Sequence, residues 1–400
     1  MQSTDRHRRL GVVAASVLLV AAIAPGTATA GPELGTILGT DDPNALTGRY
    51  IVELADASVD ATTVRALAAD YDGTVTHTYD AGLRGFAATM DPEDARALAA
   101  DPAVAAVYAD ATVGIEAVQP NPPSPGLDRI DELGHGLDGQ YAYPDSAGQN
   151  TTVHVIDTGV RTSHSDFSVL GVPGSSRASH GWDFVDNDAD ASDCNGHGTH
   201  LAGTVAGTDH GVAKSARIVS VRVLGCAGSG TFSGVIAGLD WAVDDANGRG
   251  VALLAVGGGP NTVIDAAVVA AFNAGVAVVV PAGSSSSDAC GFSPARVPEA
   301  FTIGVVDTAT DRPASFGNYG PCIDIWAPGT GITSTWHTSD TAVQTLSGGS
   351  TASAHAAGAL ALYLGEFPGA SAATAMGALV TNAVPAAGPT VPRLYMGFLN

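Results

Sequence analysis

From about residue 150 the sequence alternates two hydrophobic textures, and nothing else in it constrains the fold as strongly. Short apolar runs at Val153–Ile156, Ile218–Val223, Val251–Val256, Val276–Val280 and Phe301–Val306 are near-continuous rather than alternating. Among and beyond them lie stretches with helical spacing, His197–Ala206, Phe232–Ala246, Val263–Ala274 and Ser350–Leu364. A strand that is apolar at successive positions has both faces buried, and intervening helices supply the cover on both sides. The pattern predicts an α/β domain built on a parallel sheet flanked by helices. Ligands of such sheets sit beyond the carboxyl ends of the strands.

The chain ahead of this domain reads as two shorter pieces. Arg6, Arg8 and Arg9 precede an apolar or small run from Leu10 to Ala24, and Ala28-Thr29-Ala30 is a small-x-small cleavage pattern. That is a secretory signal peptide, residues 1–30, and its run is too short to span a bilayer. Next, Gly48–Leu54 alternates like a strand and Asp60–Ala69 has helical spacing. Gly73–Tyr79 and Leu83–Met90 read as strands, Asp91–Ala100 as a helix opened by Asp-Pro, and Ala103–Tyr108 as a last strand. The order βαββαβ predicts a small ferredoxin-like α+β module over residues 48–115. Gln119–Pro125 is a Pro- and Asn-rich linker.

Seventeen basic residues face forty acidic ones, for a formal net charge of -23. That balance disfavours nucleic acid and anionic membranes as partners, because both would repel the chain. Export makes the even set Cys194, Cys226, Cys290 and Cys322 a disulfide framework. Of the three possible pairings, loop economy favours Cys194–Cys226 and Cys290–Cys322.

Three short clusters can carry chemistry. Asp157 ends the run Val155-Ile156-Asp157-Thr158-Gly159. His197 opens a helix in Asn195-Gly196-His197-Gly198-Thr199-His200. Ser350 follows two glycines in Ser347-Gly348-Gly349-Ser350. Each alone reads as a cap or turn residue. Together they supply an acid, a base and a nucleophile: a serine hydroxyl needs an imidazole to take its proton, and the imidazole needs a carboxylate to orient it. The chain order Asp, His, Ser is that of subtilisins. It rules against an esterase of the α/β-hydrolase type, in which His comes last.

The sequence resembles the secreted subtilisin-like serine proteases, in particular the proteinase K and aqualysin branch. The segments VIDTGV, NGHGTHLAGTVAG, GVAKSARIVSVRVL, SGVIAGLDWAV, FSPARVPEAFTIGV, ASFGNYG and SGGSTASAHAAG carry the resemblance, from about Pro122 to Tyr395. It implies a subtilisin-like peptidase domain over residues 118–400, preceded by an inhibitor-type propeptide that is removed by self-cleavage near Val118. It implies Asp157 as orienting acid, His197 as general base and Ser350 as nucleophile. Gly228, Ser229 and Gly230 and Ala255, Val256 and Gly257 would hold a peptide as an added strand. Ala282 and Gly283 would form part of the pocket for the residue before the scissile bond. His200 and His355 fall at structural positions. The same two disulfides are implied, as is structural calcium on the Pro298 and Ala300 carbonyls with Asp324. A second calcium set would be Asp128, Asp131 and Asp138. Partners would be protein or peptide substrates and the chain's own propeptide, and the enzyme would be an extracellular monomer.

Departures from the family pattern cluster at the site. Ser284 stands where an Asn amide donates to the oxyanion. Gly349 replaces the usual Thr, Thr351 a Met, Pro281 an Ala, and Leu253 and Ala255 the Asn and Ser of one substrate strand. These changes leave a second expectation beside the active enzyme: a weakened or inactive homologue that binds peptides.

Overall fold

The computed structural model describes residues 34–40, 45–55, 61–80, 83–111, 117–169, 172, 174–387 and 391–399. The signal-type segment lies outside the described residues. The chain divides into two compact units, residues 1–113 and 114–400.

In the first unit the described elements are β1 (Ile37–Leu38), β2 (Ala45–Leu54), α1 (Ala61–Ala69), β3 (Thr74–Tyr79), β4 (Gly85–Thr89), α2 (Pro92–Leu98) and β5 (Val104–Ala111). The sheet order is β1-β5-β2-β4-β3, antiparallel except for the short β1–β5 pair. Beyond β1 this is the expected βαββαβ order. Alternate residues of β2 (Tyr50, Val52, Leu54) are buried with Phe86, Leu98 and Val107 in one core. That is why this strand reads as alternating while those of the larger unit do not.

The second unit opens with β6 (Ala117–Pro120), α3 (Pro125–Ile130) and β7 (Gln140–Tyr143), β6 and β7 being antiparallel with Val118 opposite Ala142. Then come β8 (Thr152–Asp157), β9 (Ala178–Asp183), α4 (His197–Ala206), β10 (Arg217–Arg222), α5 (Phe232–Ala246), β11 (Gly250–Leu254), α6 (Thr262–Asn273), β12 (Val276–Pro281) and β13 (Phe301–Asp307). After these follow β14 (Arg312–Pro313), β15 (Ile325–Pro328), β16 (Ile332–Thr335), β17 (Val343–Leu346), α7 (Gly349–Glu366), α8 (Ala372–Thr381), β18 (Val384–Pro385) and β19 (Pro392–Arg393). The large sheet runs β18-β19-β15-β13-β12-β11-β8-β10-β9, with β14 on β13. Its centre, from β9 to β15, is parallel.

Successive residues of the central strands feed opposite cores. Val251, Leu253, Ala277 and Val279 pack with α4, α7 and α8; Ala252, Leu254, Val276, Val278 and Val280 pack with α5 and α6. Helix α7 crosses the middle of one face and is buried from Thr351 to Leu364, so its Ala, Gly and Ser content reflects close packing on all sides. Strand β11 ends at Leu254, two residues before its apolar run does, because Ala255–Gly257 leave the sheet toward the site. Strand β9 (ASHGWD) sits at the sheet edge, partly exposed, and carries no apolar run that would announce it.

Candidate active site

Three chain turns bring the candidate acid, base and nucleophile to the carboxyl ends of the strands. Asp157 is the last residue of β8 and is fully buried. His197 is the first residue of α4, and Ser350 is the second of α7. Gly196 enters α4 with φ +113, and a Cβ there would lie 2.4 Å from the Trp336 ring. A Cβ on Gly198 would meet the Gly159 carbonyl at 2.2 Å, so only glycine lets α4 approach β8 this closely.

Asp157 Oδ1 accepts from His197 Nδ1 at 2.7 Å and from the Thr158 N–H at 2.8 Å. With Nδ1–H engaged, Nε2 is the free basic nitrogen. The Asp157 carboxylate holds the His197 pKa above the ordinary imidazole value, against the opposing effect of burial. His197 and Ser350 line one cavity of about 550 Å³. Gly228, Ser229 and Gly230 line it together with Ala255, Val256 and Gly257. Leu224 and Gly230 form an isolated antiparallel bridge, which holds the first of these segments as a small hairpin.

Ala282 and Gly283 do not line that cavity, but the Gly283 amide nitrogen is 3.6 Å from where a Cβ on Gly349 would stand. Ser284 Oγ accepts from the Gly349 N–H at 3.0 Å. The same hypothetical Cβ lies 3.0 Å from Pro281 Cβ, so the departures at 281, 284 and 349 touch one another. By its place in the first turn of α7, the Ser350 N–H has no acceptor within the helix.

Several supporting residues escaped the sequence reading. Asp193 Oδ1 accepts from the N–H groups of Asn195 and Gly196 and from Thr158 Oγ1, while Oδ2 accepts from Thr199 N–H and Oγ1. It thus closes the start of α4 around His197. Asn318 Oδ1 accepts from the Ser285 and Ser287 N–H groups, and Nδ2 donates to the Ala282 carbonyl. Its place within FGNYG, between glycines, was the available signal. His200 and His355 are buried, each bound to a backbone carbonyl, and burial lowers both to about 4.

Both expected disulfides form, Cys194–Cys226 and Cys290–Cys322. The first joins the segment before His197 to the segment before Gly228, and Asn195 Nδ2 donates to the Cys226 carbonyl beside it.

For calcium, Asp128, Glu132 and Asp138 place carboxylate oxygens within 4.8 Å of one another. Asp131 is not part of that group. Its Oδ2 accepts from the Ala142 N–H at 2.6 Å, and Glu132 takes its expected place. Asp324 Oδ2 accepts from the Thr302 N–H, and burial raises its pKa to about 6.

Two family profiles match the chain: Peptidase inhibitor I9 over residues 49–116, and the Subtilase family, Peptidase_S8, over residues 148–397. An extracellular serine proteinase of Thermus sp. (strain Rt41A) is 41% identical over 391 residues, covering 92% of this chain and 93% of its own length. Proteinase R of Parengyodontium album is 40% identical over 332 residues, 82% of this chain and 81% of its own. The crystal structure of a cold adapted subtilisin-like serine proteinase aligns with TM-score 0.63 and 46% identity, covering 68% of this chain and 97% of that one. With a subtilase profile over most of its length and an inhibitor profile ahead of it, the chain belongs to the subtilase family.

Proposed function

We propose that this subtilase is an exported serine endopeptidase in which Asp157, His197 and Ser350 act as one unit. The observation that carries the reading is the 2.7 Å Asp157–His197 bond with Ser350 on the same cavity. His197 Nε2 takes the Ser350 proton as Oγ attacks the scissile carbonyl, and later returns it to the leaving amine. Asp157 keeps the imidazole in the required tautomer and stabilises its charge. A peptide enters as a strand between Gly228–Gly230 and Ala255–Gly257, which offer backbone groups and little side-chain bulk. Ala282 and Gly283 border the small pocket for the residue before the scissile bond.

The developing oxyanion needs donors. The Ser350 N–H supplies one. Ser284 supplies the second: its oxygen accepts from Gly349, which leaves its own proton free to donate. A hydroxyl in this place supports an active enzyme over a peptide-binding remnant.

The same reading divides the chain into a signal peptide (1–30), an inhibitor-type propeptide (48–115) and a peptidase domain (118–400). Its partners are protein or peptide substrates and its own propeptide, and the peptidase works as a single chain outside the cell. Calcium, when bound, supplies charge neutralisation and loop anchoring. Asp128, Glu132 and Asp138 would hold one ion, and Asp324 with the Pro298 and Ala300 carbonyls another, since oxygen donors of this kind suit a hard cation.

A serine-directed fluorophosphonate tests the role of Ser350. One label per chain on Ser350, abolished by His197→Ala, supports the reading. Labelling that survives His197→Ala at the same rate contradicts it.

A further inference from the structure

A second cavity, of about 450 Å³, lies at the other end of the same sheet. It opens at the amino ends of β8, β10 and β11, where Thr152, Arg217 and Gly250 begin their strands. Thr152 and Asp157 are five residues apart on β8, or roughly 16 Å at the rise of a strand, so this cavity is separate from the Ser350 site.

The charged side chains at its wall are Arg217, Arg249 and Asp245, with His154 beneath them. Arg217 Nη2 donates to Thr152 Oγ1 at 2.9 Å, and Arg249 Nη2 donates to the Leu364 carbonyl at 2.5 Å. Both acceptors are neutral. They orient the guanidinium groups and leave most of each fork of N–H donors unused. Asp245 is engaged by His154 Nε2 at 2.8 Å. His154 is fully buried, and burial disfavours its charged form, so two arginines against one aspartate leave the cavity net positive.

Arg49, Arg161, Arg222, Arg296 and Arg393 each meet an aspartate within 4.0 Å. Arg217 and Arg249, like several other arginines among the described residues, have no such carboxylate, but these two line one cavity. Paired N–H donors on planar guanidinium groups match the oxygens of phosphate or carboxylate, and the volume suits a small molecule. We infer that this cavity is a binding site for a small oxyanion, phosphate or carboxylate, gripped by Arg217 and Arg249.

The test is calorimetric titration of inorganic phosphate, and separately of succinate, into the full chain carrying Ser350→Ala to prevent self-digestion. Sodium chloride holds ionic strength constant. One saturable site per chain for either anion is expected, and the stronger of the two identifies the ligand's source. Arg217→Gln and Arg249→Gln should each weaken binding about tenfold, and Asp245→Asn should tighten it. Peptidase activity of the same substitutions in the Ser350 chain should be unchanged, which reports that the fold is intact. Arg217→Lys keeps the charge without the fork and should bind with intermediate strength. Absence of saturable binding for both anions, or unchanged binding in the Arg217→Gln/Arg249→Gln chain, overturns the inference.

Discussion

Ser284 Oγ accepts a 3.0 Å hydrogen bond from the Gly349 N–H, tying the proposed second oxyanion donor to the residue just before Ser350. Replacing Ser284 by Ala should therefore lower kcat with little change in KM, because the lost interaction belongs to the transition state. An oxyanion donor is worth about 10²-fold or more, a scale set in a subtilisin. Ser284→Asn should raise kcat. Steady-state kinetics on a peptide anilide decides: an unchanged kcat in Ser284→Ala would remove Ser284 from the machinery.

Pro281 and Gly349 should be energetically coupled. A Cβ at 349 would stand 3.0 Å from Pro281 Cβ, so Gly349→Thr alone crowds the start of α7. Gly349→Thr should cost about 1–3 kcal/mol of stability, and less in a Pro281→Gly background, which removes the Cβ that the new side chain meets. A double-mutant cycle by thermal denaturation checks this; additive effects would contradict it.

The pH dependence of kcat/KM should carry the mark of Asp157. Activity requires neutral His197, and Asp157 raises the His197 pKa. Activity therefore rises with pH, with a midpoint above the ordinary imidazole value of about 6.5. Asp157→Asn should move that midpoint down and lower kcat by about 10⁴-fold. An acidic limb that stays in place would assign the titration to another group.

Asp193 should matter to both stability and rate. It satisfies N–H groups at the start of α4 and the Thr158 and Thr199 hydroxyls. Asp193→Ala should cost about 2 kcal/mol and lower kcat through misplacement of His197. Asp193→Asn, which keeps one acceptor oxygen, should recover part of both. A stability loss with kcat untouched would leave Asp193 a structural cap only.

The parallel sheet was legible because its strands are buried on both faces, which writes uninterrupted apolar runs such as Val276–Val280 into the sequence. Strand β9 was not, because an edge strand with exposed Ser179 and His180 has no such constraint. The proposed catalytic residues Asp157, His197 and Ser350 were legible as three local clusters in one chain order. Asp193 and Asn318 were not, because each acts through backbone groups that only the folded turn brings to it. The exchange of Asp131 for Glu132 in the acidic cluster has a similar cause. Helix α3 ends at Ile130, and Asp131 just beyond it turns inward to the Ala142 N–H.

If Asp157, His197 and Ser350 work as one unit, the precursor cleaves itself. Expressing the full chain beside its Ser350→Ala variant and weighing both products decides this. A chain beginning near Val118 is expected from the first and an uncleaved precursor from the second. An uncleaved precursor in both, or equal processing in both, would rule the self-maturing peptidase out.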